Sequence, residues 1–117
     1  MEMQVALSEI GIDYPRLLNR FVGNTTLLRR FLNRFLEDPT FTQLEEYARS
    51  ADYAKLEIAA QTLKGLTANL GMEGLSQTCM DLLEAIRQGS YSSVPQLFAQ
   101  VEARYRAVIA VISQIHG

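Results

Sequence analysis

Four residues in the middle of the chain, Gln61, Lys64, Gly65 and Ala68, stand at spacings of three and four, so on a helix they share one stripe. The make-up of that stripe is odd for a solvated helix face. A glycine inside a helix costs about 1 kcal/mol relative to alanine, and glycine and alanine on either side of a lysine gain nothing in packing on an outward surface. They do allow another molecule to come close to the helix backbone. Gln61 contributes a carboxamide, which can donate and accept hydrogen bonds but whose nitrogen lone pair is delocalised into the carbonyl and is no useful nucleophile. The chemistry open to these residues is therefore binding.

Few other residues offer chemistry. Cys79 is the only cysteine and His116 the only histidine, so there is no internal disulfide and no Cys/His set for zinc or haem; no metal and no cofactor is expected. Cys79 falls at an apolar helical position and reads as a small buried hydrophobe. His116, penultimate in the sequence, reads as a solvated terminal residue. Thr62 points elsewhere around the helix from Gln61. The formal net charge of −2 argues against a general affinity for nucleic acid or anionic membrane. Arg16, Arg20, Arg29, Arg30 and Arg34 give the early helices a basic lean, most simply a solvated face.

The elements that must position the stripe are helices throughout. Apolar residues recur at spacings of three and four and no sustained run alternates with period two, so the class is all-α. With 117 residues, 48% of them hydrophobic, one domain spanning 1–117 is expected. Asp13 before Pro15 predicts an N-cap and a short helix stopping at Gly23; Asn24 or Thr25 caps the next. That helix carries Leu28, Phe31, Leu32, Phe35 and Leu36 inward until Pro39 kinks or ends it, which leaves residues 25–50 as one bent helix or two. Asp52 caps a helix from Tyr53 to about Leu70, ended by Gly71, with Leu56, Ala59, Ala60, Leu63, Leu66 and Thr67 inward. A helix from about Glu73 to Gln88 follows, then a loop at Ser90–Ser93. Pro95 opens a last long helix whose seam runs through Phe98, Val101, Tyr105, Val108, Ile112 and Ile115, with Tyr105 expected to be largely buried. The expected architecture is an up-and-down four-helix bundle with an additional short N-terminal helix.

The segment Gln61-Thr62-Leu63-Lys64-Gly65-Leu66-Thr67-Ala68-Asn69-Leu70-Gly71 resembles the histidine-phosphotransfer (HPt) domains of two-component signalling. That family's pattern is a histidine, two residues, Lys-Gly, and a further glycine six residues on. Lys64, Gly65 and Gly71 match it in register, and Gln61 stands where the histidine belongs. Gly11-Ile12-Asp13-Tyr14 and Arg20-Phe21-Val22-Gly23-Asn24 look like the family's opening helix and turn, and Leu75 to Gly89 resembles its next helix.

The resemblance implies a response-regulator receiver domain as partner, with a hybrid sensor kinase a further one. It gives Lys64 the role of placing positive charge at phosphoryl oxygens, and Gly65 that of letting the receiver come close. With Gln61 in place of histidine, the chain is not an enzyme as written: it is expected to bind receivers through Gln61, Lys64, Gly65 and Ala68 without accepting phosphate. Two other readings remain at this point, an active phosphotransfer protein in which glutamine has replaced the acceptor histidine, and a purely structural bundle. The first ten residues lack a secretory pattern and no apolar run is long enough to cross a bilayer, so a cytoplasmic protein with no membrane span is expected, and a monomer because the seam from Phe98 to Ile115 finds its partners within the chain.

Overall fold

Three of the helix starts are written locally, in a short polar side chain that accepts a bond from a backbone N–H three residues on. Asp13 accepts from the N–H of Arg16, Asn24 from that of Leu27, and Asp52 from that of Lys55. In the computed structural model, which describes residues 2–115, these caps open α2 (Tyr14–Arg20), α3 (Thr25–Glu37) and α5 (Tyr53–Asn69). The remaining helices are α1 (Met3–Glu9), α4 (Thr40–Arg49), α6 (Glu73–Arg87) and α7 (Val94–Ile112), and a single 3-10 turn at Tyr91–Ser93 leads into α7. No strand occurs among the described residues.

The segment 25–50 is two helices. Asp38 is extended (φ −69°, ψ 130°), its carboxylate accepts from the N–H of Thr40, and Pro39 starts α4. Proline has no N–H to continue the ladder, and the residue before it is pushed out of the helical region. Gly71 ends α5 in the left-handed conformation at φ +70°, with its own N–H bonded to the Ala68 carbonyl and that of Met72 to the Thr67 carbonyl.

Helices α4, α5, α6 and α7 pack in chain order, and α7 closes the arrangement by touching α3 and α4. The all-α bundle expected from the periodicity is thus the observed class. Leu56, Ala60 and Leu63 from α5, Leu82 and Leu83 from α6, Leu44 from α4, and Val101 and Ile112 from α7 are buried in one core. Each such leucine is worth about 1.5–3 kcal/mol on burial, which far outweighs helix propensity. Aromatic rings join α4 to α7: Phe41 stacks on Tyr105 at 4.0 Å between centroids and on Phe98 at 5.9 Å.

Three expectations change. Helix α1 was not foreseen: it has no side-chain cap and is held by burying Met3, Ala6 and Leu7, with contacts to α2 and α7. Phe31 is 39% exposed rather than part of the core, since the apolar stripe of α3 is wider than the surface it meets; its ring leans on Phe21 at 5.2 Å. Tyr105 is half-buried rather than largely buried, because the Phe41 ring covers a face of it while the rest reaches the bundle surface. His116 lies outside the described residues.

Candidate functional site

Helix α5 is the piece on which the candidate residues stand, and its inner face explains their position. Leu56, Ala59, Ala60, Leu63 and Thr67 are buried, so the opposite side must face solvent. Gln61, Gly65 and Ala68 are exposed and Lys64 is half-buried. The four therefore share a surface, as their spacing predicts.

Gly65 carries the clearest geometric statement. A Cβ built on it would meet no heavy atom within 4 Å outside its own helix. No neighbour among the described residues needs the space that the missing side chain leaves, so this glycine does not pack against the rest of the bundle. Gly71 differs: its φ of +70° is left-handed, and an added Cβ would lie 3.6 Å from a Leu17 side-chain carbon and 3.8 Å from one of Ile12. Gly71 is structural, shaping the turn over which α2 packs.

Backbone groups beneath the stripe are fastened to their neighbours. The Thr67 hydroxyl lies 2.8 Å from the Leu63 carbonyl and 3.0 Å from that of Lys64. Ser76 on α6 donates its hydroxyl to the same Lys64 carbonyl at 3.2 Å, pinning α6 against α5 at the level of the lysine. At the far end, Arg20 on α2 donates to the carbonyls of Ala68 (2.9 Å) and Asn69 (3.3 Å). A guanidinium there satisfies end carbonyls and complements the negative end of the helix dipole. The stripe thus lies on a helix fixed at its middle and its end.

One residue of this surface escaped the sequence reading. Arg87, in the last turn of α6, donates from Nη2 to Gln61 Oε1 at 3.2 Å and from Nε to Glu57 Oε2 at 3.3 Å. Its Cα is 26 positions from Gln61 in sequence, and only the antiparallel packing of α5 and α6 brings the two together. An arginine at a helix C-terminus is expected for dipole reasons alone, so the sequence carried no signal that would have singled it out. Among the described residues no carboxylate lies within ion-pair distance of Lys64.

Beside the end of the stripe is an apolar hollow of about 510 Å³, where Phe21, Phe31 and Phe35 face Leu66 and Leu70, with Arg34 at its rim. The Arg34 guanidinium lies 5.4 Å from the centre of the Phe31 ring, a cation–π distance. Cys79 is fully buried, and burial pushes its thiol up to about 12, so it stays protonated and unreactive. No group of three His, Cys, Asp or Glu side chains is placed to hold a metal among the described residues. No helix among them is long and apolar enough to cross a membrane.

The fold defines an all-α bundle whose third long segment, α5, presents a small-residue stripe around a lysine. The family model described as Hpt domain matches residues 26–111, and the chain belongs to that family. Hpt domains are carriers in two-component phosphorelays rather than classical enzymes, and typically interact with response-regulator receiver domains. No curated protein and no solved structure matches the chain significantly.

Proposed function

We propose that this chain is a receiver-binding module of a two-component phosphorelay that carries no phosphoryl group itself, with Gln61 occupying the position of the family's acceptor histidine. The observation that carries the reading is the open space over Gly65, next to a lysine that has no carboxylate partner among the described residues. A bundle that had lost its binding role would have no use for a glycine there, since alanine would raise helix stability at no steric expense. The receiver-contacting residues are Gln61, Lys64, Gly65 and Ala68, and the partner is a receiver domain, free or within a hybrid sensor kinase.

A phosphoryl carrier needs a nucleophile with an available lone pair near neutral pH, which an imidazole has and a carboxamide lacks. No neighbouring side chain replaces it: Lys64 offers the partner positive charge, and Thr62, off the stripe, has its hydroxyl engaged with the Ile58 carbonyl at 2.9 Å. The test is transfer from phosphorylated receivers of the source organism. The unaltered chain should bind a receiver saturably and remain unlabelled, while Gln61→His should acquire an acid-labile label. Labelling of the unaltered chain, or absence of binding to every receiver, would refute the proposal. If Gln61→His binds yet stays unlabelled, the site has departed from carrier chemistry beyond this one residue.

A further inference from the structure

Phe31 stands at a core spacing yet keeps 39% of its surface open, and it does so on the wall of the hollow of about 510 Å³ beside α5. The hollow exists because α2, α3 and α5 come together there without closing: α3 packs on α7 and not closely on α5. Phe21 and Phe31, with ring centroids 5.2 Å apart, form one wall, and Leu66 and Leu70 form the facing one. Apolar surface left open to water is unfavourable, and an occupant with an apolar body relieves it. The polar groups at this hollow carry an excess of positive charge. The Arg34 guanidinium lies 5.4 Å from the centre of the Phe31 ring. Arg20 uses Nη1 on the carbonyls of Ala68 and Asn69, which leaves its other N–H groups for a further acceptor. Neither arginine has a carboxylate within ion-pair distance among the described residues. Asp38 also lines the hollow, but its carboxylate is committed to the Thr40 N–H at 2.8 Å. The bias extends beyond the hollow, since residues 14–36 contain five arginines and neither Asp nor Glu.

We infer that this hollow is a binding site for a small amphipathic carboxylate, with its ring or chain between the phenylalanines and the leucines and its carboxylate at Arg34. Arg20 adds a second positive charge at the mouth. The volume falls within the roughly 300–1,000 Å³ of sites that take small molecules. A stable protein partner needs about 800 Å² of matched surface on each side, whereas the apolar residues here form a recess between three helices. A carboxylate is the matching head group because a guanidinium offers two parallel N–H donors to its two oxygens. Its arrival leaves the cation–π contact of Arg34 with Phe31 in place, so no existing bond of the chain has to break. The arginines are exposed, which makes the charge a source of selectivity rather than of most of the affinity; the apolar walls supply the rest. Occupancy of the hollow does not depend on receiver binding by the stripe of Gln61, Lys64, Gly65 and Ala68.

The experiment titrates the chain with three probes of similar shape and different charge, 2-naphthoate, 2-naphthamide and 2-naphthylmethylammonium, and follows backbone amide signals by nuclear magnetic resonance. The unaltered chain should bind the carboxylate about fivefold or more tighter than the neutral amide, the worth of one exposed ion pair, and the cation weakest. The signals of Leu66, Asn69 and Leu70 should move. Arg34→Met should bring the carboxylate to within about twofold of the amide and leave the affinity of the amide itself unchanged. Arg30→Met removes the same charge from an exposed position of α3 that does not line the hollow, and it should keep the preference. Asn69→Trp sets a large ring at the mouth and should abolish binding of all three probes, with an unaltered circular dichroism spectrum. Equal affinity for the three probes, binding of none of them, or shifts confined to other residues would overturn the inference. Loss of the preference in Arg30→Met as much as in Arg34→Met would also overturn it, because a diffuse field and not a site would then attract the anion. Self-association of the chain that Asn69→Trp abolishes would give the hollow to a second copy instead.

Discussion

Replacing Gly65 with glutamine separates folding from binding at a single position. In the folded chain this residue is helical and exposed, and a Cβ added to it meets nothing within 4 Å. The substitution therefore introduces no clash, and it removes the propensity cost of a helix-interior glycine, which is up to about 1 kcal/mol. For a domain of this size that gain corresponds to a rise in melting temperature of about 3–6 °C. Binding should move the other way. A glutamine side chain standing over the stripe occupies the space through which a partner reaches Gln61 and Lys64, and a block at the centre of an interface cannot be relieved without shifting the whole docked surface. The expected loss is that of a central interface residue, about 2–4 kcal/mol or roughly 30- to 1,000-fold in Kd. Thermal unfolding followed by circular dichroism gives the first quantity, and calorimetric titration against a receiver gives the second. A lowered melting temperature would show that Gly65 is needed for packing, and unchanged affinity would show that the receiver docks elsewhere; either refutes the assignment of this face.

Gly71→Ala should do the reverse, lowering stability by about 1–2 kcal/mol, because its left-handed φ of +70° penalises any side chain; denaturant unfolding measures it. Lys64→Ala should weaken receiver binding, and the difference from the unaltered chain should shrink as salt rises from low to physiological ionic strength, since the contribution is electrostatic. Cys79 should resist alkylation in the native protein at pH 8. Burial raises its pKa from 9.0 to about 12, so the unfolded thiol ionises first. Stability from this group is therefore complete below pH 9.0 and falls as pH climbs towards about 12, by about 1.4 kcal/mol per unit; replacing Cys79 with alanine should flatten that part of the profile.

Much of this molecule is decided by interactions that span four residues or fewer, and these can be found in a sequence. The caps at Asp13, Asn24 and Asp52 each join a side chain to an N–H three positions away. The break at Pro39 and the stop at Gly71 follow from what those residues can and cannot do with their own backbone. The stripe of Gln61, Lys64, Gly65 and Ala68 depends only on helical spacing, once the inner face of α5 is apolar. Other features depend on how one helix rolls and crosses against another, which periodicity does not encode. Helix α1 exists through the burial of Met3, Ala6 and Leu7, without a side-chain cap. Phe31 shares its spacing with core residues yet lines a hollow with Phe21, Leu66 and Leu70, because α3 packs on α7 and not closely on α5 along that edge of its stripe. Arg20 reaches the end of α5 across 48 positions, and Arg87 reaches Gln61 across 26. Both contacts are a property of helix packing: long, flexible cationic side chains take the partners that tertiary structure brings within reach, and their place in the sequence says only that they lie near a helix end.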